Sequence, residues 1–263
     1  MNIVVCVKQV PDTWAEKRLS ADDKTVDRAG VDAVMNELDE YAVEEALRIQ
    51  EATGGADSTT VTVLTMGPEK ATETIRKALS MGADQAIHVV DDALHGSCAV
   101  GTSHALAKAL GTTQWDLVLC GSEATDSRTS LLPAALAEQL GAAQLTFARK
   151  VEVDGQTVRI ERVTDYGYDK VEASLPAVVS VVEKINEPRY PSFKGIMAAK
   201  KKPLTTVATG DAGIDTGQVG LGGATSAVDS FEAAPPRTAG EVVKDEGDGG
   251  SKLADFLASK KFL

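Results

Sequence analysis

The chain has 263 residues, 43% of them hydrophobic and 25% charged, and a formal net charge of -12. This length and composition predict a soluble globular protein that folds without disulfides or metals, and the negative charge argues against nucleic acid as a partner. Three widely spaced cysteines favour a reducing cytoplasm, and no apolar run reaches the roughly 18 to 20 residues needed for membrane insertion.

The first half of the chain alternates short β-branched runs with helical patterns. The predicted strands are residues 3–10, 60–67, 86–90 and 116–122. The predicted helices are residues 41–54, 68–83, 98–111 and 130–141. This alternation indicates an α/β fold, a parallel sheet with helices on both faces. Such a sheet binds ligands beyond the carboxyl ends of its strands, so the loops after Val10, Met66 and Cys120 are the expected site.

The pattern changes after residue 145. Residues 150–163 alternate polar and apolar side chains around Asp154 and Gly155, which predicts an antiparallel hairpin. Residues 172–185 supply a further apolar strand. We therefore expect antiparallel strands added to the parallel sheet.

The last part of the chain is rich in small and polar residues. Residues 205–250 predict an extended arm without a core of its own. Apolar residues at helical spacing then predict a terminal helix, which docks either on its own domain or on a partner chain: Leu253, Phe256 and Leu257. These patterns divide the chain into a domain of residues 1–204 and an arm of residues 205–263.

A polar loop follows the fourth predicted strand, which Gly121 ends. Its hydroxyl and guanidinium groups precede the next helix: Ser127, Arg128, Thr129 and Ser130. Together with free amides at the helix start they would suit a phosphate, although a polar loop that only caps the helix has the same sequence. Asn36, ahead of the first helix, is likewise either an exposed turn residue or a ligand contact.

Catalytic motifs are missing. His88, His95 and His104 lack the spacing of metal ligands, and Cys6 and Cys120 lie in apolar runs, as core cysteines do. The sequence also lacks a Walker loop, a Gly-x-Ser-x-Gly and a Gly-x-Gly-x-x-Gly after the first strand. These absences argue against a hydrolase, a kinase or an NAD enzyme.

Six blocks carry a resemblance to a known family: KQVPDT (8–13), MNELDEYAVEEAL (35–47), ETIRKALSMGAD (73–84), LPAVVSV (175–181), NEPRYPSFKGIMAAKKK (186–202) and PPRTAG (235–240). In this order they resemble the β subunit of electron transfer flavoproteins over nearly the whole chain. The resemblance implies a five-stranded, Rossmann-like parallel sheet of the adenine-nucleotide-binding type, with added strands and a C-terminal arm that wraps the α subunit.

The function that the resemblance implies is that of an electron carrier and not an enzyme. In this family the heterodimer holds one FAD, mainly on the α subunit, and the β subunit buries a structural AMP. Electrons arrive from acyl-CoA dehydrogenases of fatty acid β-oxidation and other flavin dehydrogenases, and leave towards a membrane-associated quinone oxidoreductase. Two alternatives are an electron-bifurcating member with a second FAD in the AMP cleft and a stress-type adenine-nucleotide-binding regulator, which would lack residues 186–202.

The resemblance also implies the ligand contacts. By position, the AMP contacts fall on Cys6, Asn36, Met66, Gly121, Asp126, Ser127, Arg128, Thr129, Ser130, Leu131 and Leu132. Thr13 and Leu38 fall near the positions that approach the flavin. In residues 127–130 this sequence lacks the glycines of many relatives, so either a positive φ is no longer needed or the loop takes a different path. The glycine-poor loop favours AMP over a second FAD.

Residues 186–202, here called the docking segment, correspond to the family's partner-recognition site. The implied recognition residues are Pro191, Ser192, Phe193, Lys194, Gly195, Ile196, Met197, Lys200, Lys201 and Lys202. Phe193 lies where the family carries an apolar anchor for dehydrogenases; packing on its own loop is the alternative. The three consecutive lysines predict a positive patch that steers partners at low salt.

Overall fold

The structure is a computed structural model that describes residues 1–236, 240 and 242–263. It contains two compact units, Met1–Asp229 and Ser230–Leu263. The strands are β1 Asn2–Cys6, β2 Gln9–Pro11, β3 Ala33–Met35, β4 Thr60–Met66, β5 Gln85–Val89, β6 Leu117–Gly121, β7 Ala143–Asp154, β8 Thr157–Thr164, β9 Gly167–Ser174, β10 Ala177–Val181 and β11 Leu204–Val207. The α-helices are α1 Glu37–Ala52, α2 Thr72–Met81, α3 Ala99–Leu110, α4 Leu132–Leu140, α5 Phe193–Ala199, α6 Thr209–Ala212 and α7 Gly249–Ser259.

Nine strands form one sheet in the order β11-β5-β4-β1-β6-β10-β7-β8-β9. Neighbours from β11 to β7 are parallel, and β8 and β9 are added antiparallel. The α/β fold with added antiparallel strands is therefore confirmed. The strand predicted over residues 172–185 needs correction, because these residues divide between β9 and β10, and β10 lies parallel between β6 and β7. The parallel part is wider than the implied five strands, because β11 extends it beyond β5 and β7 extends it beyond β10.

Helices cover both faces of the parallel sheet because its central strands are apolar on both sides. Along β1, Ile3 and Val5 belong to the core that includes residues of α1 and α2. Val4 and Cys6 point the other way, into the core that includes residues of α3 and α4. Side chains alternate in this way along any strand, so each face requires its own helical layer.

The beginning of the predicted arm differs from the expectation. Residues 204–207 form β11, which pairs with β5, and Val207, Ile214 and Val219 are buried in the core beneath α3. These apolar side chains are few and irregularly spaced, so the sequence pattern did not reveal them. The first compact unit consequently runs to Asp229, beyond the boundary predicted at residue 204.

The second compact unit contains the predicted terminal helix, which is α7. What α7 docks on remains a prediction. Four residues in or beside the PPRTAG block, 237–239 and 241, lie outside the described residues. No helix in the described part of the chain is both long and apolar enough to cross a membrane.

Candidate functional site

The strand order reverses between β1 and β6 in the middle of the sheet. The chain passes from β1 outward to β4 and β5 and then returns to β6 on the other side of β1. Cys6, Met66 and Gly121 end β1, β4 and β6, so these three predicted residues come together at one edge. The carboxyl edge at such a reversal is where open α/β sheets bind ligands.

Cys6 and Cys120 are buried and free at this edge. Contact with the Cys6 thiol and then burial raise the pKa of Cys120 well above its ordinary value. A thiol that stays neutral is a poor nucleophile and a poor metal ligand. Cys120 therefore has the character of a core residue, as the sequence indicated, and Cys6 is buried beside it.

Gly121 permits a close approach between β6 and the start of α1. A Cβ at this position would lie 2.5 Å from Asp39 Oδ1 and 2.8 Å from the carbonyl carbon of Leu38. Asp39 is itself buried and accepts a hydrogen bond from the Lys8 amide at 2.8 Å. Burial raises the pKa of Asp39 to about 7. This carboxyl was not among the predicted site residues, because an acidic residue in the first turn of a helix is ordinarily exposed.

Asn36 holds the loop after β6 in place. Its Nδ2 donates to the Glu123 carbonyl at 2.9 Å, and its Oδ1 accepts from the Thr125 amide at 3.1 Å. The residue is fully buried, so the exposed-turn interpretation is wrong. Since both ends of its amide are engaged by the loop, Asn36 shapes this edge of the sheet through the backbone of residues 123–125.

Asp126, within this loop, is the centre of a charge cluster. Its side chain is fully buried and lies 2.8 Å from Lys8 Nζ and 2.7 Å from Arg28 Nη2. Burial alone would raise the pKa of Asp126, but the two cations outweigh it and hold the pKa below its ordinary value. The carboxylate is thus satisfied by the protein itself, and its evident role is to anchor the loop.

Two side chains from residues 12–32 contact this loop, a feature that the sequence did not indicate. Lys17 Nζ donates to the Thr125 carbonyl at 2.8 Å, and Arg28 Nε donates to Asp126 at 2.8 Å. At the far side of the segment, Asp23 Oδ2 lies 2.6 Å from His95 Nε2. The segment therefore brings Lys17 and Arg28 to the carboxyl edge, where their positive charges complement an anion.

The end of the loop keeps left-handed backbone without glycine. Arg128 and Ser130 have φ of 48° and 50°. The loop therefore still uses positive φ, and the alternative in which the missing glycines make positive φ unnecessary is wrong. Glu123 stabilises this path, because it accepts from Arg128 Nη1 at 3.4 Å and from Ser130 Oγ at 3.0 Å. Ser127 and Thr129 are exposed between these residues.

Helix α4 begins directly after this loop, at Leu132. Its N-cap residue is Leu131, and no side chain in the described part of the chain caps its first turn. Leu131 is exposed, and Leu132 is half-buried beside the α3 and α4 core. The uncapped amides retain the partial positive charge of a helix start, which favours a bound anion.

The two residues predicted near the flavin lie on the rim of this edge. Leu38 packs beside Gly121, and Thr13 Oγ1 donates to Glu37 at 3.0 Å. Trp14, next to Thr13, is almost completely exposed. An exposed tryptophan at the rim is typical of an interface residue, and the sequence analysis did not single it out.

The docking segment presents apolar side chains to solvent. Phe193 at the start of α5 is 80% exposed, so the alternative in which it packs on its own loop is wrong. The other large exposed apolar side chains of the segment are Tyr190, Ile196 and Met197. Pro191 and Gly195 are half-buried, and Ser192 caps the helix by accepting from the Gly195 amide at 3.0 Å.

The four lysines of the segment have different environments. Lys194, Lys200 and Lys201 are exposed, as a steering patch requires. Lys202 instead donates to the carbonyls of Leu79, Gly82 and Ala83 at the end of α2, and burial lowers its pKa. The prediction that Lys202 belongs to the free patch therefore needs correction: its ammonium caps a helix.

Comparison with known proteins agrees with this architecture. Residues 23–212 match the electron transfer flavoprotein domain. The chain belongs to the electron transfer flavoprotein family. It is 53% identical to electron transfer flavoprotein subunit beta of Mycobacterium tuberculosis and of Mycobacterium leprae, over 100% of this chain and 99% of each relative. It is 36% identical to the Megasphaera elsdenii subunit beta, over 99% of this chain and 97% of the relative.

Membership in the electron transfer flavoprotein family confirms the resemblance seen in the sequence. The relatives carry the names of electron transfer proteins and not of enzymes, which confirms the expectation of a carrier subunit. The match extends through the antiparallel strands and the docking segment. A flavoprotein role in electron transfer is therefore the function of this chain.

Proposed function

We propose that the chain is the β subunit of a heterodimer that accepts electrons from acyl-CoA dehydrogenases and other flavin dehydrogenases. The heterodimer passes the electrons through a membrane-associated quinone oxidoreductase to the respiratory chain. Its FAD is held mainly by the α subunit, with Thr13 and Leu38 approaching from this chain, and the carboxyl edge of the sheet holds a structural AMP. The protein acts in the cytoplasm, in fatty acid β-oxidation.

The loop between β6 and α4 is the observation that carries the AMP proposal. Its conformation is set by the protein, since Asn36 binds its backbone, Asp126 ties it to Lys8, and Arg128 and Ser130 adopt left-handed backbone. The same loop carries the exposed hydroxyls of Ser127 and Thr129 and leads directly into the uncapped start of α4. Groups of these types bind the phosphate of a nucleotide without any added cation.

Ligand analysis of the heterodimer tests this proposal. The chain should be purified with its α subunit, denatured, and its extracted nucleotides counted by chromatography. We expect one FAD and one AMP per heterodimer. A variant with Ser127→Ala and Thr129→Ala should lose AMP and keep FAD, because these hydroxyls lie on the AMP loop. Thr157→Ala, on the distant strand β8, serves as the matched control and should keep both ligands.

Other compositions of the extract would contradict the proposal. Two FAD and no AMP would indicate an electron-bifurcating flavoprotein, in which the second flavin occupies this site. An adenine nucleotide without any flavin, in a stable homodimer, would indicate a stress-type regulator.

The exposed Phe193 supports the dehydrogenase part of the proposal. A single aromatic side chain at the centre of a docking surface commonly contributes 2 kcal/mol or more, about a 30-fold change in affinity. Phe193→Ala should therefore lower electron transfer from an acyl-CoA dehydrogenase by at least about tenfold at limiting flavoprotein, with FAD content unchanged. Tyr166→Ala is the matched control, because Tyr166 is 81% exposed on the turn between β8 and β9. Equal effects of the two substitutions would contradict the anchor assignment.

A further inference from the structure

The docking segment is held at its first end by carboxylates of α1. Asn186 Nδ2 donates to the Tyr41 carbonyl and to Glu45, both at 3.0 Å. Arg189 donates to Glu44 through Nε at 2.7 Å and through Nη2 at 3.0 Å. Glu44 and Glu45 are buried, so the charge-assisted hydrogen bonds that hold this end of the segment are shielded from solvent.

The second end is held by two cations that exchange contacts with α2. Arg76, on α2, donates from Nη1 to the Ala199 carbonyl at 2.6 Å and to the Lys202 carbonyl at 3.2 Å. Lys202 donates in return to carbonyls at the end of α2. Each helix end thus receives a positive group from the other element, which satisfies carbonyls that a helix leaves unpaired.

Helix α5 between these ends lies directly on α2. A Cβ on Gly195 would be 2.5 Å from the Ser80 carbonyl oxygen, so the two backbones touch. Within α5 only Ala199 is buried, and the large apolar side chains face solvent. A helix of seven residues with so little apolar burial is unstable by itself. Its orientation consequently depends on the polar contacts at its ends.

We propose that Arg76 is a positioning residue for partner docking. Arg76 does not itself contact the partner. It holds the carboxyl end of α5, so that Phe193 is presented in one fixed direction. This inference rests on the proposed role of Phe193 as the dehydrogenase anchor. A preformed anchor avoids the entropy cost of ordering residues 193–199 when the partner binds. If α5 is ordered in only a fraction of the molecules, the apparent affinity for the partner falls in proportion to that fraction.

Steady-state kinetics of the intact heterodimer test the proposal. With an acyl-CoA dehydrogenase and its acyl-CoA, the concentration of flavoprotein is varied for the wild type and each variant. Arg76→Ala should raise the KM for the flavoprotein about three- to tenfold, with kcat and FAD content unchanged. Arg76→Lys should restore part of the affinity, because an ammonium also donates to carbonyls, but the lysine side chain is shorter and lacks the planar guanidinium. Adding Arg76→Ala to Phe193→Ala should have no further effect, since the anchor is already lost.

Arg162 provides a matched control on the hairpin. It donates from Nε to the Thr146 carbonyl at 3.1 Å and from Nη2 to the Gln144 carbonyl at 3.4 Å, so it also bridges two backbone carbonyls. Arg162→Ala should leave the KM unchanged. An equal rise in KM for Arg162→Ala and Arg76→Ala would overturn the proposal, because the effect would then be one of general stability.

The remaining outcomes separate this inference from the proposed function. If Phe193→Ala raises the KM and neither Arg76 variant does, the positioning role is wrong and the anchor stands. If Phe193→Ala leaves the KM unchanged, the anchor fails and the positioning role fails with it. Amide hydrogen exchange gives a readout that needs no dehydrogenase: Arg76→Ala should accelerate exchange at residues 194–199 and not in β8. Unchanged protection there would also overturn the proposal.

Discussion

The cluster of Lys8, Arg28 and Asp126 allows a quantitative test of what holds the loop after β6. Asp126→Asn keeps the size of the side chain and removes its charge. Lys8 Nζ and Arg28 Nη2, at 2.8 Å and 2.7 Å, would each lose a charged acceptor. The substitution therefore isolates the electrostatic contribution of the cluster.

The expected magnitude follows from how unevenly the three groups are buried. The carboxylate is 0% exposed, whereas the side chains of Lys8 and Arg28 are 37% and 42% exposed. Breaking a fully buried pair costs about 3–5 kcal/mol, and a hydrogen bond to a charged group contributes about 1.5–3 kcal/mol. Because both cations retain access to water, we expect Asp126→Asn to lower the free energy of unfolding by about 2–3 kcal/mol, near the lower of these two ranges. Arg28→Ala leaves Asp126 paired with Lys8 and should cost only about 1 kcal/mol.

Thermal unfolding of the purified heterodimer measures the effect, and Asp126→Asn should lower the melting temperature of this chain by roughly 5–10 °C. The pKa of Asp126 is lowered in the folded protein, so its stabilisation is present above the ordinary carboxyl pKa of 3.8 and is lost as pH falls through the folded pKa. The difference in melting temperature between the wild type and Asp126→Asn should therefore become smaller below about pH 4. A loss under about 1 kcal/mol at pH 7 would refute the assignment. So would an effect of Arg28→Ala that persists undiminished in the Asp126→Asn background.

Three further predictions concern the same edge of the sheet. Gly121→Ala should lower the free energy of unfolding by about 1–3 kcal/mol, because its Cβ would collide with backbone. Gly210→Ala, where a Cβ meets nothing within 4 Å, should be neutral, and equal melting temperatures of the two variants would contradict the close approach. Arg128→Gly should change stability by less than about 0.5 kcal/mol, because relief of the left-handed backbone offsets the entropy cost of glycine; a loss above about 1 kcal/mol in urea unfolding would argue against a strained loop. The pKa of Asp39 is raised to about 7, so the folded state binds its proton more tightly and wild-type stability should fall as pH rises from about 4 to about 7. Asp39→Asn should lack that slope in melting curves, and a slope shared by both proteins would exclude Asp39 as its source.

The sequence was sufficient to predict the central strands. β4, β5 and β6 lie within one residue of their predicted bounds at each end, because strands buried on both faces are apolar throughout. Alternation of strands and helices also predicted that a ligand binds at the carboxyl edge, which stays a prediction. The predicted anchor role of Phe193 came from the family resemblance alone, since composition does not distinguish this residue from any other aromatic residue in a loop.

The contacts made at long range could not be predicted from the sequence. Lys202 appeared to be one of three equivalent surface lysines, and only the packing of the docking segment against α2 shows that it caps a helix. The strand β11 was read as part of a polar arm, because two threonines in a run of four residues give little apolar signal. Its place beside β5 depends on a sheet edge that is distant in sequence.

The sequence by itself determined the fold class and the family, because these depend on local periodicity and on the order of short blocks within one chain. It also predicted the edge of the sheet at which a ligand would bind. Tertiary structure alone decided how that edge is built. Asp126 and its two cations come from residues that are up to 118 positions apart, and Asn36 reaches a loop 89 positions away. Charges and amides act over a few ångströms in space, whatever their separation along the chain, so only the folded arrangement shows which of them meet.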